Sequence, residues 1–164
     1  MTFDEHPSEL RIEKTRTDAV VTLAGGASVS GHVFVAQASA ILPGPEGVAE
    51  LLNSESGFFP FQTGEAHGAR TVLYNRDHVV AVAIHGDEAR RDPGYDVATE
   101  RKVSVLLSNG QRILGSVRVH RPEGRDRLSD WARHGERFRY VETAEATYIV
   151  NVDHVVEVHE VIER

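Results

Sequence analysis

The sequence predicts a mainly β protein: two tandem five-stranded small β-barrels, each with a short helical insertion. Three observations lead there. Blocks of the first half recur in the same order in the second half. Short runs of alternating apolar residues are separated by turn signals at about every 8–12 positions. The chain has 164 residues, room for two small units or one ordinary domain.

The repeat is read first because it sets every boundary. Ala19-Val-Val-Thr-Leu-Ala-Gly-Gly-Ala-Ser-Val-Ser-Gly-His-Val33 matches Val103-Ser-Val-Leu-Leu-Ser-Asn-Gly-Gln-Arg-Ile-Leu-Gly-Ser-Val117 at an offset of 84. Asn75-Arg-Asp-His-Val-Val-Ala-Val82 matches Asn151-Val-Asp-His-Val-Val-Glu-Val158 at an offset of 76, with six of eight positions identical. Between them Leu52, Phe59 and Phe61 pair with Trp131, Phe138 and Tyr140 at an offset of 79. These blocks divide the chain into a polar extension (1–17), a first barrel (18–84), a linker (85–100) and a second barrel (101–164).

Within each copy the elements follow in order. Ala19, Val21 and Leu23 share one face of an opening strand, as do Val103, Val105 and Leu107. Ala24-Gly-Gly-Ala and Ser108-Asn-Gly-Gln then read as hairpin turns, the Asn-Gly pair being the stronger signal. The return strands carry Gly31 and Gly115 in mid-run, where a glycine marks a sharp bend or a close backbone approach. Short helical segments are expected from Gly47 to Asn53 and from Arg127 to Ala132. Aromatic strands come next (Phe58 to Phe61, Arg137 to Val141), then strands from Arg70 to Tyr74 and from Thr147 to Val150. An Asn-x-Asp turn leads into the last strand, where Val80 and Val82, or Val156 and Val158, are expected to point the same way. The 85–100 segment has Asp-Pro-Gly turn chemistry and no apolar period.

Composition excludes several classes. There is no cysteine, so disulfides, thiolate metal sites and cysteine nucleophiles are absent. The formal charge of −7 argues against a surface that coats nucleic acid or anionic membrane throughout. No apolar run reaches the roughly 20 residues of a membrane-spanning helix. The first residues lack the basic start and apolar core of a secretory leader, so a cytoplasmic location is expected.

The order of the pieces resembles the Sm-like fold (Sm, Lsm and Hfq proteins), a relative of the SH3-like small barrels. Val105-Leu-Leu-Ser-Asn-Gly-Gln-Arg-Ile-Leu-Gly-Ser-Val117 fits that fold's opening strand–turn–strand block. Tyr148-Ile-Val-Asn-Val-Asp-His-Val-Val-Glu-Val158 is similar to its closing block, with His78 and His154 at the histidine position of the Hfq version. Asp77 and Asp153 stand where that version has a lysine, and Gly25 and Asn109 replace the family's first-hairpin aspartate. The family's N-terminal helix is not evident in either copy. The resemblance implies rings in which the fourth strand of one barrel pairs with the fifth of the next. Two fused barrels then leave exposed edges, and three chains closing a six-barrel ring is the expected assembly.

Candidate contacts fall in two groups. Asn75, His78, Asn151 and His154 are repeated turn residues. Asn and Asp stabilise tight turns through local hydrogen bonds, and a ligand or RNA contact is the alternative role. The second group is a basic stretch from Arg101 to Arg139, with ten Lys or Arg against four Asp or Glu. Its Arg118, Arg121 and Arg125 are the candidate phosphate contacts. Trp131, Phe138 and Tyr140 interleave with it, either as core or as a surface for stacking bases. No nucleophile elbow, phosphate loop or metal-binding histidine spacing occurs, so no catalytic residue, cofactor or metal is expected. The leading expectation is a non-catalytic, self-associating binding or assembly module, with a protein partner possible. RNA binding through the second barrel is the alternative, and a small-ligand sensor or enzyme the third.

Overall fold

A computed structural model describes residues 13–64, 68–120, 124, 127–133 and 135–162. Its first copy holds β1 (Lys14–Leu23), β2 (Ser28–Ala36), α1 (Val48–Asn53), β3 (Phe58–Thr63), β4 (Arg70–Asn75) and β5 (Val79–Ile84). The second holds β6 (Thr99–Leu107), β7 (Arg112–Val119), α2 (Leu128–Arg133), β8 (Phe138–Glu142), β9 (Thr147–Asn151) and β10 (Val155–Glu160). The expected all-β class holds. All ten strands join one antiparallel sheet in the order β10-β6-β7-β8-β9-β5-β1-β2-β3-β4. Each copy therefore contributes the same five-strand series, and β5 against β9 stitches the two series together. Strand β1 begins at Lys14, so residues 14–17 of the expected extension belong to the sheet.

The duplication extends to individual hydrogen bonds. Leu23 N donates to Ala27 O and Leu107 N to Gln111 O, both closing the first hairpin. Ala24 N donates to His78 O and Ser108 N to His154 O, tying that hairpin to the later turn. Gly26 and Gly110 hold φ near +95° and +89°, which a side chain disfavours. Gly31 and Gly115 mark close approach, as expected. A β-carbon on Gly31 would meet the Gln62 carbonyl, and one on Gly115 the Glu142 carbonyl.

Two local expectations are corrected. Gly57 O accepts from Arg76 N and Arg137 O from Val152 N, so the third strands align at an offset of 80, not 79. On that register Phe58 corresponds to Phe138 and Phe61 to Val141, and α1 and α2 begin and end at the same offset. The second correction concerns the last strands. A bulge shifts register where Leu23 pairs Val79 and Thr22 pairs Ala81. The same bulge recurs in β10 against β6. An extra residue breaks the two-residue alternation. Val79 and Val82 thus enter one core while Val80 enters the other.

Each core is completed by the other copy. The first core gathers Val21, Val33, Leu52, Phe59, Phe61 and Val82, and takes Phe138 and Ile149 from the second copy. The second gathers Val105, Leu107, Ile113, Val117 and Trp131, and takes Val80 and Ala81 from the first. Complete burial of each of these valine, leucine, isoleucine and phenylalanine side chains stabilises by about 1.5–3 kcal/mol.

Candidate functional site at the junction of the two copies

The two Asn-x-Asp-His turns meet where β5 joins β9. Both form one 3₁₀ turn, Arg76–His78 and Val152–His154. Asn75 Oδ1 accepts from Asp77 N at 3.0 Å, and Asn151 Oδ1 from Asp153 N at 3.0 Å. Asparagine suits this position because its carbonyl caps the turn while its amide stays free to donate.

What the free amide does differs between copies. Asn151 is fully buried, and its Nδ2 donates to Arg76 O at 3.2 Å and Val79 O at 2.9 Å, across the junction. His154 Nε2 donates to Asp77 O at 2.7 Å, and its Nδ1 lies 2.8 Å from the Ser108 hydroxyl. Arg137 bridges the turns, with Nη2 2.7 Å from Asp77 Oδ1 and Nε 3.0 Å from Asp153 Oδ2. The ladder continues through Ala81–Val150, Val82–Ile149, Ala83–Tyr148 and Ile84–Thr147. By contrast, the Asn75 amide meets no acceptor among the described residues, and His78 is exposed.

Arg76 was not singled out by its sequence pattern, because Val152 occupies its place in the second copy. It is fully buried, and its guanidinium donates to the carbonyls of Leu52, Phe58 and Leu51 at 2.8–3.0 Å. It thereby caps the end of α1 and stands 5.4 Å from the Phe59 ring centroid. Burial lowers its pKa from the usual arginine value, opposed by the Glu55 charge.

The linker also does structural work. Glu88 accepts from Val48 N at 2.6 Å and Ala49 N at 3.2 Å, at the start of α1, and from the Tyr140 hydroxyl at 3.1 Å. Burial raises the Glu88 pKa, with the two N–H donors and Tyr140 pulling it back. Tyr140 is pushed up in turn, first by burial and then by the Glu88 charge. Both groups border a cavity of about 570 Å³ between the copies, beside Trp131 and Arg139.

The basic stretch is largely committed. The Arg118 guanidinium lies 4.0 Å from the Tyr95 ring centroid and reaches Tyr95 O and Glu100. Arg112 pairs with Glu157, and Arg139 covers the Trp131 ring. Trp131 and Phe138 are buried in the cores and do not form a stacking platform. Arg121 and Arg125 lie outside the described residues. Among those described, no three His, Asp or Glu side chains converge as metal ligands, and no helix is long and apolar enough to cross a membrane.

No protein-family model matches this chain, and no curated protein or solved structure matches it significantly. What the geometry itself defines is a duplicated all-β protein whose repeated turn motif serves as a strand-to-strand coupling.

Proposed function

We propose that this chain is a non-catalytic assembly module, built of two small barrels that associate with further copies of itself. The observation that carries this reading is the β5–β9 junction. It couples two copies of one unit inside the chain, while the equivalent strands β4 and β10 end the sheet with no further strand beside them among the described residues. Unpaired edges are templates for strand addition. The non-catalytic part rests on where the polar groups point. Asn151, His154, Arg137, Arg76 and Glu88 each end on a structural partner. RNA binding through Arg118, Arg121 and Arg125 has less support, since Arg118 is stacked and paired and the interleaved aromatics are core. A small-ligand site at the histidines has less too, because the junction already uses His154.

The test is the mass in solution by light scattering over a concentration series. Assembly predicts a multiple of the 18.1 kDa chain. A single-chain mass at every concentration would remove the reading.

A further inference from the structure

The cavity between the two copies has walls from three parts of the chain. Ala49 and Asn53 come from α1, Glu88 and Tyr95 from the linker, and Trp131 and Tyr140 from the second copy. Its volume of about 570 Å³ is that of a small-molecule pocket. Such pockets favour the boundary between units, with apolar walls and a few placed polar groups. Four aromatic side chains line this one, Tyr95, Trp131, Phe138 and Tyr140.

Charge on the walls selects the ligand. Six carboxylates line the cavity, those of Glu50, Glu88, Asp92, Asp130, Glu136 and Glu142, against the two guanidiniums of Arg118 and Arg139. Both guanidiniums are engaged. Arg118 lies on the Tyr95 ring and pairs with Glu100. Arg139 lies on the Trp131 ring and donates to the Trp131 and Glu136 carbonyls. Among the described residues, only Glu142 of the six carboxylates has a Lys or Arg nitrogen in ion-pair range, and Arg90 stands at its limit, 4.0 Å. Glu88 is fixed in the wall by Val48 N, Ala49 N and the Tyr140 hydroxyl, none of which neutralises it.

We propose that this cavity binds a small organic cation with an aromatic or apolar body, its charge beside Glu88 and its body against the Trp131 and Tyr140 side chains. The aromatic walls suit a cation, since both guanidiniums already stand over rings, at 4.0 and 5.2 Å from the centroids. A bare metal ion does not fit, because no three His, Asp or Glu side chains converge among the described residues. The site is independent of the assembly reading, and its failure leaves that reading intact.

Trp131 is the one tryptophan of the chain, so its fluorescence reports on the cavity wall. Three probes share a phenyl ring and a short chain but differ in charge: phenylethylammonium, phenylethyl alcohol and phenylpropanoate. Each is titrated into the full chain in neutral buffer. The expected result is a saturable change with phenylethylammonium, the alcohol binding about tenfold more weakly and phenylpropanoate more weakly still. Glu88→Gln removes one charge and keeps an oxygen that can accept from the α1 N–H groups. Ile41→Lys adds a positive charge at a lining position that is 73% exposed. Both are expected to weaken the ammonium probe by about threefold and to leave the alcohol unaffected. Val97→Lys, at a position 87% exposed and outside the lining, is expected to change neither. Circular dichroism checks the fold of each variant, and I41K alone decides if E88Q fails to fold. Equal binding of the ammonium and the alcohol, preference for phenylpropanoate, or no saturation with any probe overturns the proposal. So does ammonium binding that survives I41K unchanged, or a loss in I41K that falls equally on the alcohol.

Discussion

Gly31 and Gly115 each sit where a neighbouring strand crosses too closely for a β-carbon. Gly31→Ala and Gly115→Ala are therefore expected to lower unfolding free energy by about 1–3 kcal/mol, measured by denaturant melts. Both glycines were legible in the sequence because a glycine inside an alternating run has few other reasons to be there. Arg76 was not legible. Its role depends on three carbonyls that come together only when α1 ends beside β3. Arg76→Met removes the side-chain donor from the Leu52 and Phe58 carbonyls, while Leu51 O keeps Ser54, so a loss on the order of 3 kcal/mol is expected in the same melts. Glu88 gives a pH signature. Its folded-state pKa lies above the ordinary glutamate value, so the native state holds that proton more tightly than the unfolded chain. The stability this contributes is present below the ordinary value and is lost as pH rises through the raised one. The difference in melting temperature between wild type and Glu88→Gln should accordingly turn against the wild type over that acid range. A difference independent of pH would contradict this account.

At the scale of elements, the first hairpins could be placed to the residue, because turn glycines and apolar alternation point to one register. The third strands slipped by one position, since Phe59 and Phe138 align by residue type while hydrogen bonds align Phe58 with Phe138. The last strands misled for a different reason. A bulge at Val80 leaves no mark in composition, yet it sends neighbouring valines to opposite cores. The paired turns offer a comparison within one molecule. Asn151→Asp keeps the turn cap but places a carboxylate against Arg76 O and Val79 O in a buried site. It is expected to destabilise the single chain by about 3 kcal/mol or more. Asn75→Asp, on a free edge, is expected to leave single-chain stability within about 0.5 kcal/mol. Equal losses in the two variants would mean that the turn itself, and not the strand coupling, sets the requirement for asparagine.

For the whole molecule, the repeated turn motif was visible in the sequence, but its work was not. The pattern Asn-x-Asp-His shows a turn twice. Only the structure reveals that Asn151 and His154 of the second turn donate to carbonyls of the first, while the Asn75 amide of the first turn has no such acceptor among the described residues. The two copies form one continuous sheet with two cores that exchange side chains. The absence of cysteine makes the central claim directly testable. Opposed residues on antiparallel strands have Cα atoms about 4.5–5.5 Å apart, within disulfide range. A Leu73→Cys chain and a Val158→Cys chain are mixed, oxidised mildly and read on a non-reducing gel. Assembly through the β4 and β10 edges, in the register of β5 with β9, predicts a disulfide-linked pair containing one chain of each kind, and a ladder of higher multimers when both substitutions are in one chain. Linkage no faster than that of a Val97→Cys chain with itself would contradict it.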